Sequence, residues 1–448
     1  MNNKPNVREI AAEALLTVEK NQAYSNLLLN SLIQKYKLEE KDIPLLTELV
    51  YGTLQRKETL DFYLAPFIKK ASKLELWVRI LLRLSVYQMV YLDRVPDRAV
   101  VHEAVEIAKR KGHQGISSLV NGILRSIQRE GVPSIEEIAD PIEKLALSTS
   151  HPVWMVRKWT EQYGMESTAK MCEMNLQPPK QTARVNSSKT SVDEMLGKLE
   201  EEGFQARKGD LSIDAIRMEK GTLTKSSLYK EGLLTVQDES SMLVGRALGV
   251  EKGDIVLDAC SAPGGKTSHI LELLNHTGEV TSLDLHKHKV NLVKEQAERL
   301  RFANLNVMAL DARKAGDEFS EESFDRILVD APCSGFGVIR RKPDLKYAKS
   351  LQDIQKLAEI QLEILRSVSP LLKKGGTLVY STCTIDWEEN SEITEKFLEQ
   401  HSDFELDQTL PGRLPEMARK YAENGQLQLL PHYFGTDGFY ITSFKRKV

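Results

Sequence analysis

Hydrophobic positions recur with a helical period through the first third of the chain. Val7, Ile10, Ala11, Ala14, Leu15 and Val18 form a single apolar stripe at spacings of three and four. Asp42 before Ile43-Pro44 signals a helix start, and Leu45, Leu46, Leu49, Val50 and Leu54 continue it. The same spacing runs over Leu74–Leu92, Val100–Arg110 and Ile116–Arg129, and Gly131 and Pro133 stop the last of these. No strand-like alternation interrupts them, so residues 1–133 are predicted to be an all-α bundle. Residues 134–230 mix helical spacing, at Met155–Tyr163 and Val192–Glu202, with short strand-like pieces such as Gln181–Val185. They predict a small α+β domain, in which Trp154 and Trp159 read as core. From residue 231 to 448, apolar strand runs alternate with helical ones, the pattern of a parallel sheet covered on both faces.

Charge and cysteine usage narrow the function classes. The chain has 448 residues and a net charge of −3, which excludes a bulk polycation. Residues 1–130 nevertheless hold 20 Lys+Arg against 15 Asp+Glu, leaving the rest of the chain acidic. A basic helical module on an acidic body suits a polyanionic partner. The most membrane-like stretch, Leu74–Leu92, carries Glu75, Arg79 and Arg83 at helical spacing, a charged stripe unsuited to a bilayer. The first residues lack the apolar core of a secretion signal. Four cysteines, Cys172, Cys260, Cys333 and Cys383, lie at least 50 residues apart with no C-x-x-C pair, which argues against a zinc ribbon or disulfide scaffold. A cytoplasmic location, no metal and a monomer without a coiled coil are expected.

The candidate chemistry lies at the strand ends of the last domain. Ile255–Leu257 runs into Asp258 and the small-residue loop Ala259, Cys260, Ser261, Ala262, Pro263, Gly264, Gly265, with a helix beginning near Lys266. This is a Rossmann-type first turn, but the dinucleotide fingerprint is absent. A phosphate-binding P-loop would need glycine where Cys260 stands, which disfavours an ATPase. Three further strands end in acids: Val280–Leu283 at Asp284, Val307–Leu310 at Asp311, and Ile327–Val329 at Asp330. Ligands of open α/β sheets bind outside the carboxyl ends of the strands, so these acids are expected to share one crevice. Cys333 follows the fourth strand in Asp330-Ala-Pro-Cys-Ser-Gly-Phe-Gly337, and Cys383 follows the fifth, Thr377–Tyr380, in Ser381-Thr-Cys-Thr384. Two thiols at one edge point to a thiolate nucleophile, and the residues themselves do not rank the two.

Val236-Gln-Asp-Glu-Ser-Ser241, Asp258–Lys266, Asp330-Ala-Pro-Cys-Ser-Gly335 and Ser381-Thr-Cys383 together resemble the S-adenosylmethionine-dependent RNA cytosine-5 methyltransferases, most closely those of bacterial 16S rRNA. Residues 1–130 resemble NusB-type RNA-binding domains, and His151-Pro-Val-Trp154 resembles the start of the middle domain of the rRNA enzymes. The resemblance implies a Rossmann-like methyltransferase domain preceded by the small α+β domain and the NusB-like bundle. It implies Cys383 as nucleophile, Cys333 as the thiol assisting product release, Asp330 at the cytosine edge and Lys266 beside it. Ala259 through Gly265, Asp284, Asp311 and Asp330 would contact S-adenosylmethionine. Arg340, Arg341 and Lys342, with Lys346 and Tyr347, would hold the RNA backbone of an unpaired or flipped-out cytidine. The implied partner is 16S rRNA, free or in an early assembly intermediate. The rival readings are a tRNA cytosine-5 methyltransferase and a catalytically inactive NusB-like RNA-binding or assembly protein. Intact Cys333 and Cys383 argue against the second.

Overall fold

The structure, a computed structural model, describes residues 5–21, 25–68 and 74–448. The reading of a leaderless N-terminus rests partly on residues 1–4, which lie outside the described residues. Contacts divide the chain into two compact units: Met1–Gln177 with Ile339–Ala348, and Pro178–Val338 with Lys349–Val448. The predicted middle segment is thus divided at Gln177/Pro178.

The first unit is helical among its described residues: α1 (Val7–Asn21), α2 (Ser25–Tyr36), α3 (Ile43–Gln55), α4 (Lys57–Leu64), α5 (Leu76–Tyr91), α6 (Asp97–Lys111), α7 (Gln114–Glu130), α8 (Pro141–Thr149) and α9 (Val153–Asn175). Helix α5 is apolar on more than one face because it is covered from two sides. Ile80 and Leu84 join a core with α1 and α3, while Leu81, Leu82 and Val86 join another with α6 and α7. This placement corrects the expectation of a charged stripe. Arg83 is buried, and its guanidinium donates to both carboxylate oxygens of Asp61 at 2.7 Å and to Glu19 at 2.7 Å. Glu75 precedes the helix altogether. Among the described residues, no helix is long and apolar enough to cross a membrane. Trp159 is fully buried, with its ring edge-on to His151.

The segment Ile339–Ala348, which follows the Cys333 loop in sequence, belongs to this helical unit. Lys346 is completely buried, and its Nζ donates to the carbonyls of Gln55 at 2.8 Å and Ser150 at 2.7 Å. These carbonyls stand at the C-terminal ends of α3 and α8, which lack intrahelical partners and carry the negative ends of the helix dipoles. The Tyr347 hydroxyl donates to the Ser150 carbonyl at 3.1 Å, the Lys57 ammonium covers its ring, and Asp344 accepts from the Ser25 hydroxyl at 2.7 Å. The expectation that Lys346 and Tyr347 hold an RNA backbone is therefore corrected: the polar groups of both are used to anchor this segment.

The second unit begins with an antiparallel sheet of β1 (Thr182–Val185), β2 (Gln205–Lys208), β3 (Ala215–Lys220) and β4 (Leu234–Val236), ordered β2-β3-β1-β4. Helix α10 (Val192–Glu201) packs Met195 and Leu199 on it, against Ala183, Val185 and Ile216. The main sheet contains β5 (Ile255–Asp258), β6 (Glu279–Asp284), β7 (Leu305–Ala309), β8 (Phe324–Asp330), β9 (Leu372–Thr382), β10 (Phe404–Leu406), β11 (Ala422–Glu423), β12 (Gln426–Leu429) and β13 (Phe439–Arg446). Its order is β11-β12-β13-β9-β8-β5-β6-β7, with β10 on β13. Strands β5 to β9 pair in parallel, and β13 runs antiparallel to β9. Side chains alternate between two cores: Val256, Leu328 and Val379 face one, and Leu257, Ile327, Val329, Leu378 and Tyr380 face the other. The chain leaves β5 toward β6 and β7, then crosses back to β8 on the other side. A crevice opens at such a switch point, outside the strands' carboxyl ends.

Burial is the main influence that pushes the Lys346 ammonium down to about 7, with nearby Arg56 adding to it while Cys172 and Glu58 oppose. In the unfolded chain the group returns to about 10.4. Between these values the unfolded chain holds a proton that the fold does not, so this group's contribution to stability rises with pH. Lys346→Met should destabilise the protein by about 1–3 kcal/mol for each abandoned carbonyl. In urea unfolding, the gap between wild type and variant should widen from pH 7 to pH 9.5. A gap unchanged across that range would refute the depressed titration.

Candidate active site

Strand β5 ends in Asp258, whose side chain is fully buried and accepts from the Thr267 hydroxyl at 2.7 Å. Burial pushes this carboxyl up to about 7, against the hydrogen bond from Thr267. Asp258 therefore ties the strand end to the helix Gly265–Leu274 and does not line the crevice as an exposed acid, which corrects that part of the expectation. Between them, the loop is held by backbone. Ala259 N–H donates to Leu328 O, Ser261 N–H to Leu283 O at 2.8 Å, and Gly264 N–H to Ser261 O. Gly264 has a φ of +101°, and a Cβ there would press on Val293, so glycine is required at this turn.

Cys260 sits in the middle of the loop. Burial first, and then the carboxylates of Asp258, Asp330, Asp284 and Asp311, push its thiol well above the usual range. All four strand-end acids thus act on one point. Asp284 is half-buried and accepts from the His286 N–H at 3.0 Å. Asp311 caps the next turn through the Arg313 N–H at 3.0 Å and pairs with the Arg313 guanidinium at 2.7 Å, which holds its carboxyl below the ordinary range.

Asp330 ends β8 and is held from two directions. Lys266 Nζ donates to Oδ2 at 2.7 Å, and the Ser381 hydroxyl donates to Oδ1 at 2.8 Å. Burial alone would lower the Lys266 ammonium, but Asp330, then Cys383 and Asp258, keep it above its ordinary value. Strands β8 and β9 are neighbours with Asp330 opposite Ser381, so the loops after them start side by side. Cys333 Sγ and Cys383 Sγ lie 3.4 Å apart. The Cys333 thiol is held well above its usual range, first by the hydrogen bond with Cys383 and then by burial. The close approach needs glycine: Gly337 N–H donates to Cys383 O at 2.9 Å, and a Cβ on Gly337 would collide with the Gly438 carbonyl.

The structure thus brings together Lys266, Asp330, Cys333, Cys383 and the Cys260 loop. Arg340, Arg341 and Lys342 lie in the segment assigned to the helical unit; Arg340 is buried and the other two are half-buried. Sequence reasoning missed Arg184, a fully buried guanidinium on β1. It donates to both oxygens of Glu272 at 2.8 Å, to Ser268 Oγ at 2.9 Å, to the Gly265 carbonyl at 2.8 Å and to Gln237 Oε1. Gln237 belongs to the Val236–Ser241 motif, whose Glu239 accepts the backbone N–H groups of Leu211 and Ser212. That motif braces the Cys260 loop's helix from the small sheet. An open cleft of about 650 Å³ lined by Asp193, Lys208, Ile213 and Met417 contains neither the thiols, nor Lys266, nor the strand-end acids. Among the described residues, no group of three or more His, Cys, Asp or Glu side chains is arranged to hold a metal.

A parallel sheet with a switch-point loop and strand-end acids defines a Rossmann-like domain, and comparison with known proteins gives its class as a methyltransferase. Residues 246–445 match the family described as 16S rRNA methyltransferase RsmB/F, residues 151–224 its ferredoxin-like domain, and residues 5–129 the NusB family. The chain is 58% identical over 444 residues to the probable ribosomal RNA small subunit methyltransferase B of Bacillus subtilis, covering 99% of both. It superposes on the solved structure of PH0851 with a TM-score of 0.83 and 25% identity, covering 99% of each chain. NSun6 from Pyrococcus horikoshii, solved with SFG, shares the fold at a TM-score of 0.57 and 22% identity, over 65% of this chain and 97% of that one. The chain belongs to the RsmB/F family of 16S rRNA methyltransferases, with a NusB-like helical domain and a ferredoxin-like domain before the Rossmann-like one.

Arg184→Met should leave Glu272 buried without its partner and destabilise the protein by about 3–5 kcal/mol. The double variant Arg184→Met, Glu272→Met should recover most of that loss, as read by thermal unfolding. A single variant as stable as wild type would show that the pair does not brace this loop.

Proposed function

We propose that the protein methylates carbon 5 of a cytidine in 16S rRNA, using S-adenosylmethionine and a covalent cysteine–cytosine adduct. The observation that carries this reading is the pair of thiols 3.4 Å apart beside the Lys266–Asp330 ion pair. The residues present fit the cofactor. A small-residue loop leaves room for close backbone approach, and carboxylates around Cys260 suit ribose hydroxyls and a sulfonium cation. A protein of the same fold was solved with SFG, an S-adenosylmethionine analogue. When bound, the cofactor supplies an electrophilic methyl group.

Carbon 5 of cytosine is too electron-poor to take that methyl unaided. Cys383, as thiolate, adds to carbon 6 and makes carbon 5 enamine-like and nucleophilic. The assignment of Cys383 as the attacking thiol follows the resemblance of Ser381-Thr-Cys383 to the RNA cytosine-5 methyltransferases. The Lys266 ammonium stabilises the thiolate electrostatically. Asp330, held by Lys266 and Ser381, meets the cytosine edge as a hydrogen-bond acceptor, which favours uptake of a proton from solvent on the ring as the thiolate adds. After methyl transfer, a base from solvent takes the carbon-5 proton, which restores the double bond and expels Cys383 as thiolate, with Cys333 assisting release. Ala259 through Gly265, Asp284 and Asp311 hold the cofactor. The NusB-like bundle and the exposed parts of Arg341 and Lys342 hold RNA backbone, while buried Arg340 shapes their segment. The protein acts as a cytoplasmic monomer, on free rRNA or an early assembly intermediate.

With tritiated S-adenosylmethionine, wild type should label cytidine in deproteinised 16S rRNA or small-subunit particles and leave bulk tRNA unlabelled. Cys383→Ala should give no label, and Cys333→Ala should accumulate a protein–RNA adduct that survives denaturing gels. Label on tRNA alone would replace the rRNA reading. Full activity of Cys383→Ala would overturn the thiol assignment.

A further inference from the structure

We propose that Glu389 is a positioning residue that fixes the Cys333 loop against the Cys383 loop through Ser334 and Thr384. The inference rests on the reading of Cys333 and Cys383 as the reacting thiols, and it concerns what stands behind them.

Glu389 ends the short turn Trp387–Glu389 beyond β9 and is fully buried. Oε1 accepts the Ser334 N–H at 2.8 Å and Gln361 Nε2 at 3.0 Å, and Oε2 accepts the Ser334 hydroxyl at 2.5 Å. Gln361 Nε2 also donates to the Pro332 carbonyl at 2.9 Å. The residues on both sides of Cys333 are therefore tied to one carboxylate. Ser334 Oγ lies 2.8 Å from Thr384 Oγ1, so the residues immediately after the two cysteines touch each other.

These contacts have a direction. In its ionised form the carboxylate only accepts, so the Ser334 hydroxyl then spends its proton on Glu389 and accepts from Thr384. The Thr384 hydroxyl in turn accepts from the Asp386 N–H at 3.4 Å. The chain runs from Asp386 through Thr384 and Ser334 to Glu389 and contains no sulfur. It sets where the thiols stand without sharing their protons. Burying a carboxylate is costly, and here burial pushes the Glu389 carboxyl up to about 7 against the Ser334 and Gln361 donors. A glutamine would keep the Oε1 contacts but place an amide donor against Ser334, turning the chain around. Valine at 384 would keep the shape and delete the link between the loops.

The test uses full-length protein carrying Glu389→Gln, Thr384→Val or the conservative Thr384→Ser. In free enzyme without RNA, diamide takes two hydrogens from a thiol pair and leaves a disulfide, so the rate of Cys333–Cys383 cross-linking reports thiol proximity. Glu389→Gln and Thr384→Val should slow cross-linking severalfold and lower kcat for methyl transfer by about ten- to a hundredfold, the scale of a misplacement near 1 Å. KM for both substrates should stay within about twofold. Thr384→Ser should behave as wild type. Wild-type cross-linking and turnover in both disruptive variants would overturn the proposal. So would losses that track a lowered melting temperature and weakened S-adenosylmethionine binding, since those mark a merely structural role. If wild type methylates no RNA, the cytosine-5 reading fails, while the cross-linking comparison still decides whether the latch exists.

Discussion

Asp330 accepts from Lys266 on one side and Ser381 on the other, and this shared carboxylate joins three strand ends that are far apart in sequence. Lys266 opens the helix after β5, Asp330 closes β8 and Ser381 lies near the end of β9. The parallel order β9-β8-β5 makes the arrangement possible, because every strand brings its carboxyl end to the same edge. The Cys260 loop follows from the first strand, Cys333 from the second and Cys383 from the third. A pair of charge-assisted hydrogen bonds in a half-buried crevice is stronger than its surface equivalent and fixes all three loops together.

The sheet and its edge could be read from sequence because period-two burial and strand-end acids are local signals. Val256 and Leu257 face opposite cores, as do Leu328 and Val329, and such alternation needs no partner to be recognised. Charges that had gone inside could not be read. Arg83 reads as surface until Glu19 and Asp61 are found on other helices. Lys346 reads as an RNA contact until two helix ends claim its ammonium. Arg184 and Glu389 give no sequence signal, since an isolated charged residue looks the same whether solvated or neutralised by groups fifty or more positions away. Helices α2 and α4 escaped for a different reason. Ser25–Tyr36 has an apolar run, Leu27-Leu28-Leu29, without clean spacing, and Lys57–Leu64 spans barely two turns.

The missed groups share a physical property. Each buries a charge and pairs it with several hydrogen-bond partners at once, and a buried charge is tolerated only on those terms. Replacing a whole buried pair by well-packed apolar residues need not cost stability, whereas removing one partner does, so the value of such a pair is geometric. Arg184 couples the small sheet to the helix that carries Lys266, and Arg83 joins α5 to Glu19 and Asp61. Hydrophobic contacts alone would allow these elements to slide, whereas a guanidinium fork meeting a carboxylate in its own plane accepts one arrangement.

The same reasoning explains why the two thiols come from adjacent strands. Neighbouring strands run about 4.8 Å apart, so loops leaving them can bring two short side chains into contact without stretching either backbone. Asp330 opposite Ser381 sets the register, and Cys333 and Cys383 lie three and two residues further on. The proposed chemistry requires one sulfur to attack while the other keeps its proton. Proximity itself supplies that asymmetry, because two thiols in contact in a buried crevice cannot both ionise at ordinary pH. The Lys266 ammonium, in electrostatic reach of Cys383, favours a negative charge at this edge of the sheet.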